Sequence, residues 1–399
     1  MHHQASRTHS APSWFTLYGE PFVLVTAIAM TVQALVAGWR DQFFDFSIFL
    51  ASASAMRSGL DPYATIRVWG YGPNTNPPLI VWVLRPLTYL PFGVAIGLWT
   101  VLSALAMLWT VRLIHRVTGH GPVLLGVVLM TQAAVLTPRL GQIAWLLMPL
   151  ATLAWLADRE GRSAIAGAWL GPLAYMKPFY GLYLMYFAWR RDWRACAGMC
   201  ASGVACAVAG LLTTNIETHR SWLATLSGLR RQGHSLNGSA RGVAARVFNP
   251  DIVQPYPIYT VLANSPVAEQ VTFWLLVLAI AFVVWRALQT ADRDQAWAIL
   301  GIVAVLCSPL GWIYYLPISL GPIATVIVRE QRWRLAGVGV LLLSVPFSVL
   351  AMGHFGMIGT LTAGSVFWWG TVAWFAAVLP PQGRLKAISR RTFAESACP

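Results

Sequence analysis

Residues 95–113 read AIGLWTVLSALAMLWTVRL, a run of nineteen residues in which Arg112 is the one charged side chain. A helix needs about 17–25 predominantly apolar residues to cross the hydrocarbon core of a bilayer. Comparable apolar runs recur along the chain, and short clusters of charged residues separate them. This pattern predicts a polytopic membrane protein built from apolar helices.

The composition supports the same class. Apolar residues make up 57% of the 399-residue chain and charged residues only 11%, whereas a soluble domain carries about 25% charged residues. The net charge of +14 comes mostly from arginine, and arginine and lysine collect in the cytoplasmic loops of membrane proteins. We therefore predict no nucleic-acid partner. Cys196, Cys200 and Cys206 share a stretch of small residues, which indicates helix packing rather than a metal site.

The apolar segments predict an all-α, polytopic membrane helical bundle of about ten to twelve helical segments, not all of them spanning. Segment 21–39 lacks a small-residue cleavage site and is predicted to be a retained span. Pro172 and Pro178 interrupt segment 164–189, and Pro86 interrupts segment 79–90. The other apolar segments are 95–113, 122–137, 143–157, 195–212, 267–288, 296–307, 311–328, 335–350 and 365–379.

The basic clusters predict the orientation of the chain. Clusters at 158–162, 190–194, 329–334 and 384–391 are expected on the cytoplasmic side. The N-terminus is then inside, and segments 40–78 and 213–266 form outward loops. We expect a cytoplasmic tail over 1–20, a single transmembrane domain over 21–379 and a basic cytoplasmic tail over 380–399, with a multi-pass cell-membrane location and an outward active site.

The first outward loop, 40–78, carries the most informative pattern. An apolar stripe predicts a short amphipathic helix along the membrane surface; its members are Phe46, Phe49, Leu50, Ala53 and Met56. Asp45 stands near the start of this helix. Desolvation beside an apolar boundary raises the pKa of a carboxylate toward that of a useful base. An aspartate at a helix start also serves as a cap, and the residues alone leave both roles open.

Lys177 lies deep in an apolar segment, where an ammonium group is costly unless it faces a cavity or pairs with an anion. It either reaches an interface along its alkyl chain or holds a phosphate. Gln142, between two apolar segments, is either a helix cap or a polar contact in a cavity. Residues 308–315, SPLGWIYY, form either an interfacial aromatic belt or the wall of a sugar site.

Asp292-Arg293-Asp294 has the form of a paired carboxylate that binds a metal–nucleotide complex. No nucleotide-binding strand–helix pattern accompanies it, so we interpret it as a solvated loop. No nucleophile elbow, phosphate-binding Walker loop or zinc signature is present.

Several motifs occur together in order: Asp45, GLDPY at 59–63, NPPL at 76–79, Gly141-Gln142, MKP at 176–178, and Ser308-Pro309 with Trp312. In this combination, over roughly residues 39–315, the chain resembles glycosyltransferase family 87. These are membrane enzymes of the GT-C superfamily that include polyprenol-phosphomannose-dependent mannosyltransferases. The resemblance implies a GT-C-like bundle with a catalytic aspartate in the first outward loop, where Asp45 stands.

Two positions depart from the family pattern. Asn76 replaces the usual tyrosine before Pro-Pro. Ile313, Tyr314 and Tyr315 stand where many members have a polar residue or histidine.

The resemblance predicts a membrane glycosyltransferase that moves a mannose-like hexose from a polyprenyl-phosphate donor to a lipid-linked or cell-envelope glycan, with inversion and with Asp45 as general base. The alternative is a lipid-linked-sugar flippase or transporter, which would need a polar path to both faces. The candidate residues for binding the substrate and donor are Lys177, Gln142, Tyr63, Asn76, Trp312, Tyr314, Arg230, Arg231, Arg241 and Arg246.

The four arginines lie in the second outward loop, 213–266, whose glycines at 228, 233, 238 and 242 suggest a mobile lid. No cofactor is expected. A divalent ion that bridges phosphates needs at least two nearby carboxylates. Asp41 and Asp45 are the one close outward pair, and Asp45 is needed as a free base, so we predict metal-independent transfer.

Overall fold

The computed structural model describes residues 20–64, 74–119, 128–229, 232–249 and 258–381 of the chain. These residues are mostly helical, which confirms the predicted all-α class. The strands among them are two residues long: β1 (Ile258–Tyr259) pairs in parallel with β2 (His354–Phe355). Helices satisfy their backbone groups internally, as an apolar environment requires.

In the first part of the chain a long helix is followed by a shorter one, and long helices then alternate with short or interrupted ones. Its helices are α1 (Glu20–Arg40), α2 (Phe44–Arg57), α3 (Pro78–Val83), α4 (Phe92–Thr118), α5 (Gln132–Leu140), α6 (Ala144–Arg159), α7 (Ser163–Met176), α8 (Leu182–Trp189) and α9 (Trp193–Thr213). Short 3₁₀ helices at Arg85–Tyr89 and Pro178–Gly181 connect neighbouring elements.

The second part begins in the long predicted outward loop. Its helices are α10 (Ile216–Ser227), α11 (Ala240–Phe248), α12 (Pro266–Leu288), α13 (Arg293–Leu306), α14 (Leu320–Glu330), α15 (Trp333–Leu343), α16 (Phe347–Ala351), α17 (Met357–Leu361) and α18 (Val366–Val378). Further 3₁₀ helices occur at Ile313–Ser319 and Ala363–Ser365.

Four segments of the described chain are long and apolar enough to cross a membrane: α4, α9, α12 and residues 357–378. On α4 and α12 large apolar side chains remain exposed, among them Leu105 and Leu278. Helix α13, by contrast, is buried on all sides from Asp294 to Leu306. Exposed apolar helices around a buried helix are the arrangement expected when lipid is the solvent.

The predicted helix breaks are confirmed at two of three prolines. Pro86 lies in the 3₁₀ helix after α3, and Pro178 begins the 3₁₀ helix after α7. A proline lacks the N–H donor and clashes with the carbonyl four residues earlier. Pro172 was expected to break its helix but lies inside α7. The break therefore falls at Lys177, which is the residue after the last turn of α7.

The predicted amphipathic helix exists as α2. Phe46, Phe49 and Ala53 are buried, and Leu50 and Met56 pack against the same core. The stripe thus marks the face by which α2 docks on the bundle.

Three of the basic clusters, those at 158–162, 190–194 and 329–334, meet at one end of the bundle, where α6 and α13 exchange reciprocal hydrogen bonds. The cluster at 384–391 lies outside the described residues. Trp155 Nε1 donates to Asp294 Oδ1 at 2.9 Å, and Trp297 Nε1 donates to Asp158 Oδ2 at 2.7 Å. Both carboxylates are buried, and they pair with the arginines Arg159, Arg190, Arg293 and Arg329. The interpretation of 292–294 as a solvated loop is therefore wrong for Asp294, because burial between two helices requires it to be paired.

Candidate active site

A tight turn between α1 and α2 presents Asp45. Gln42 and Phe43 have φ angles of 54° and 43°, in the left-handed region that costs a residue with a side chain about 1–2 kcal/mol. Phe43 occupies the N-cap position of α2, with no capping side-chain bond. Asp45 instead lies within the first turn, where the helix dipole favours a carboxylate.

The end of α5 braces this turn. Arg139 Nη2 pairs with Asp41 Oδ2 at 2.8 Å. Gly141 has a φ angle of 68°, and a Cβ at this position would collide with the Cβ of Phe46. Trp99 Nε1 donates to the Gly141 carbonyl at 2.9 Å. Glycine is therefore required both for the backbone conformation and for the approach of α2.

Gln142 connects the carboxylate to the aromatic wall. Its Nε2 donates to Asp45 Oδ2 at 2.7 Å and to the Tyr314 hydroxyl at 3.1 Å. Its Oε1 accepts from the Ile143 N–H at 3.2 Å. Because a backbone N–H can only donate, this last bond sets which way the amide group faces.

Residues 312–315 form a compact aromatic wall. The rings of Trp312 and Tyr314 stack with centroids 6.1 Å apart, and Tyr315 meets Tyr314 edge-on at 4.9 Å. Segment 232–239 supports the wall from behind, because the Ile313 N–H donates to the Leu236 carbonyl at 3.1 Å. His234 lies edge-on to Trp312 at 5.6 Å.

The Lys177 ammonium group lies beneath this wall, and the residue as a whole is 5% exposed. Its Nζ donates to Asn76 Oδ1 at 3.1 Å and stands 4.8 Å from the ring centroid of Tyr315, a cation–π contact. Tyr315, Tyr314 and Gln142 connect the ammonium group to Asp45. The two charged side chains therefore belong to one site.

Tyr63 and Asn74 hold Asn76 in place. The Tyr63 hydroxyl donates to the Asn76 carbonyl at 2.6 Å, and burial raises the pKa of this phenol, so it remains a neutral donor. Asn74 Oδ1 accepts from both the N–H and the Nδ2 of Asn76, at 2.9 and 3.0 Å. The Asn76 amide oxygen consequently faces Lys177.

An apolar groove of about 790 Å³ begins at Lys177. It lies between α8, α12 and α13 and reaches Trp189 and Leu288. Along α12 its lining extends from Val277 to Leu288, a length of about 16 Å at the helical rise of 1.5 Å per residue. Among the described residues that line it, Lys177 alone is charged. The geometry fits a molecule with an anionic head and a long hydrocarbon tail.

Seven of the eleven predicted site residues thus form, together with Tyr315, one continuous chain of contacts: Asp45, Gln142, Tyr314, Trp312, Lys177, Asn76 and Tyr63. Tyr315, which links Tyr314 to Lys177, is not among the residues predicted from the sequence. Trp222, whose Nε1 donates to the Thr75 carbonyl at 3.1 Å, is not among them either. No local pattern marks Trp222, because its partner is 147 residues away.

The predicted arginines lie in different surroundings. Arg241 pairs with Glu269 at 2.9 Å and stacks on Phe273. The fully buried Arg246 donates to the Ser365 hydroxyl and to two backbone carbonyls. Arg230 and Arg231 lie outside the described residues. The structure does not bring Arg241 or Arg246 into the contact chain around Lys177.

The lid prediction does not hold for residues 232–249. Ser235, Asn237 and Ser239 are buried. A Cβ on Gly238 would touch Ile313, and one on Gly242 would collide with the Asn237 carbonyl. These glycines permit close packing rather than opening.

The sequence profile of glycosyltransferase family 87 matches residues 74–309, more than half of the chain. The match begins after Asp45. A relative from Mycobacterium tuberculosis (strain CDC 1551 / Oshkosh) is named polyprenol-phosphate-mannose-dependent alpha-(1-2)-phosphatidylinositol pentamannoside mannosyltransferase. It is 24% identical over 364 residues, which cover 86% of this chain and 80% of the relative.

A protein of the same name from Mycolicibacterium smegmatis is 27% identical over 256 residues, which cover 61% of this chain and 58% of that protein. Together with the apolar helices, these matches identify a membrane glycosyltransferase. The chain belongs to glycosyltransferase family 87.

Proposed function

We propose that this enzyme transfers a mannose-like hexose from a polyprenyl-phosphate donor to a hydroxyl of a lipid-linked or cell-envelope glycan, with inversion. The observation that carries the proposal is the placement of Asp45 and Lys177 in one contact chain at the head of an apolar groove. A base and a cation at opposite ends of a small polar site match the two reacting ends of such a donor and acceptor.

The transfer needs one base. The acceptor hydroxyl oxygen attacks the anomeric carbon and forms the new glycosidic bond, while Asp45 takes the hydroxyl proton. The bond from the anomeric carbon to the phosphate oxygen breaks, and its electron pair leaves with the polyprenyl phosphate. Attack opposite to the leaving group inverts the anomeric configuration.

Lys177 and the groove account for the donor. The ammonium group neutralises the negative charge that develops on the departing phosphate, and the groove accepts the isoprene units next to it. Asn76 and Tyr315 hold the ammonium group at the groove entrance. In this proposal Lys177 is the main phosphate contact, and Arg230 and Arg231 remain candidates for assisting it.

The relatives support the donor class. Both are named for polyprenol-phosphate-mannose as donor and phosphatidylinositol pentamannoside as acceptor. We adopt the donor for this chain and keep the acceptor at the level of a lipid-linked or envelope glycan. The predicted cell-membrane location, with the active site on the outer face, belongs to the same proposal.

The deciding experiment is transfer of labelled mannose from purified polyprenyl-phosphate mannose to a membrane lipid extract by the purified enzyme. Asp45→Asn is expected to lower the rate about 10²–10⁴-fold, the usual contribution of a general base. Glu217→Gln, which neutralises an exposed carboxylate of α10, is the matched control and is expected to retain the wild-type rate. Undiminished transfer by Asp45→Asn would refute the proposed base.

The same assay tests the predicted independence from metal. The part of the chain that the structure describes contains no group of three or more potential metal ligands, and the prediction itself rests on the shortage of outward carboxylates. Excess chelator is expected to leave the rate unchanged. Loss of activity that magnesium or manganese restores would show that the prediction is wrong.

A further inference from the structure

The side chain of Gln142 already makes hydrogen bonds to protein groups through both its nitrogen and its oxygen. The residue is 5% exposed, and its side-chain amide nitrogen donates to two protein groups, Asp45 and Tyr314. Its oxygen accepts from the Ile143 N–H. A side chain in this state has little hydrogen-bonding capacity left for a sugar or phosphate.

We propose that Gln142 is a positioning residue that fixes the plane of the Asp45 carboxylate, rather than a contact to the donor. The inference rests on the proposed role of Asp45 as base. A neutral amide suits this task because it donates a hydrogen bond but does not give up its proton at neutral pH. It therefore holds the carboxylate without competing for the proton that the base must take.

The backbone around Gln142 is anchored independently of the amide. The left-handed Gly141 packs on Phe46, Trp99 holds the Gly141 carbonyl, and Arg139 pairs with Asp41. The end of α5 thus contacts the turn before Asp45, the carboxylate itself and the helix behind it. Gln142 extends this brace to the carboxylate.

Two substitutions separate positioning from binding. Gln142→Met removes the side-chain hydrogen bonds while keeping a side chain of similar size. We expect kcat to fall about 10–100-fold, because misplacing a reacting group by about 1 Å costs about 10²-fold in rate. The donor KM is expected to stay within about twofold of the wild-type value. Gln142→Glu places a second carboxylate beside Asp45. Because the two carboxylates share a proton, the acidic limb of the pH–rate profile is expected to move up by more than one unit.

Gln132, at the start of the helix α5 that ends just before Gln142, offers matched controls. It is a buried glutamine whose Oε1 lies 3.5 Å from the Phe347 N–H. Gln132→Met and Gln132→Glu are expected to keep the wild-type pH profile. Thermal unfolding of each variant in detergent reports whether the fold is retained, and the near-isosteric Gln142→Glu provides a readout should Gln142→Met unfold.

Three results would overturn the inference: a raised donor KM with unchanged kcat in Gln142→Met, an unmoved acidic limb in Gln142→Glu, or equal effects at Gln132. Failure of the proposed function is a separate result, because it would appear as absence of transfer by the wild-type enzyme or as full activity of Asp45→Asn.

Discussion

At the scale of single residues, the site depends on how two charged side chains are kept in an apolar surrounding. Asp45 is held by the Gln142 amide, and Lys177 by an amide oxygen and an aromatic face. The two contacts of Lys177 supply no full negative charge at hydrogen-bonding distance. Lys177 therefore keeps its charge available for an incoming phosphate.

Replacing Lys177 tests this at the residue scale. Gln keeps a polar side chain but removes the charge, and a hydrogen bond to a charged group contributes about 1.5–3 kcal/mol. Lys177→Gln is therefore expected to raise the donor KM about 10–100-fold. Lys386→Gln, which removes the chain's other lysine in the C-terminal tail, is the matched control in the same kinetic assay. Equal donor KM values in the two variants would rule out Lys177 as the phosphate contact.

At the scale of elements, the position of Lys177 depends on how α7 packs against α9. A Cβ on Gly167 would collide with the Ala195 carbonyl, and one on Gly171 with Ser202 and the Met199 carbonyl. Gly198 of α9 approaches Ala164 of α7 equally closely. The two helices are thus in backbone contact over several turns, and α7 ends directly at Lys177.

Gly171→Ala is expected to push α7 from α9 and to lower the free energy of unfolding by about 1–3 kcal/mol, the usual cost of overpacking. Because Lys177 shifts with the helix, the donor KM is expected to rise as well. Gly97→Ala on α4, where a Cβ meets nothing within 4 Å, serves as control and is expected to be neutral or slightly stabilising. Thermal unfolding in detergent provides the comparison; equal stability of the two variants would contradict close packing of α7 on α9.

At the scale of the whole molecule, the bundle has two differently built ends. One end carries the buried ionic network around Asp158 and Asp294, and the other carries Asp45 and its brace. The apolar groove connects them, because it starts at Lys177 and reaches Trp189, next to the Arg190 that pairs with Asp158. Several isoprene units of a donor fit along this length.

A bulky side chain in the middle of the groove tests whether the groove binds the prenyl chain of the donor. Ala281 of α12 lines the groove, and Ala281→Trp is expected to raise the KM for a long-chain polyprenyl-phosphate mannose about tenfold while a donor with two isoprene units is little affected. Ala279→Trp adds the same ring to an exposed position of α12 outside the groove lining. Long-chain kinetics that are identical in the two variants would place the prenyl chain elsewhere.

The sequence alone determined the class of the protein, the approximate helical segments, the amphipathic face of α2 and the family. It also proposed Asp45 and Lys177. These features are local: hydropathy adds up along a segment, the helical period appears within a few turns, and a proline breaks its own helix. Even so, the chemistry of proline did not distinguish Pro172, inside α7, from Pro178, where the helix ends.

Only the tertiary structure decided which polar groups meet. Gln142 contacts a carboxylate 97 residues away, and Lys177 contacts an amide 101 residues away. The tertiary structure also determines that Asp294 is buried between helices and that Arg246 donates hydrogen bonds to backbone carbonyls. The physical reason is that the local sequence around a charged or amide side chain does not reveal whether that side chain is solvated or buried in a hydrogen-bonded network. Its surroundings are determined by the packing of segments that are distant along the chain.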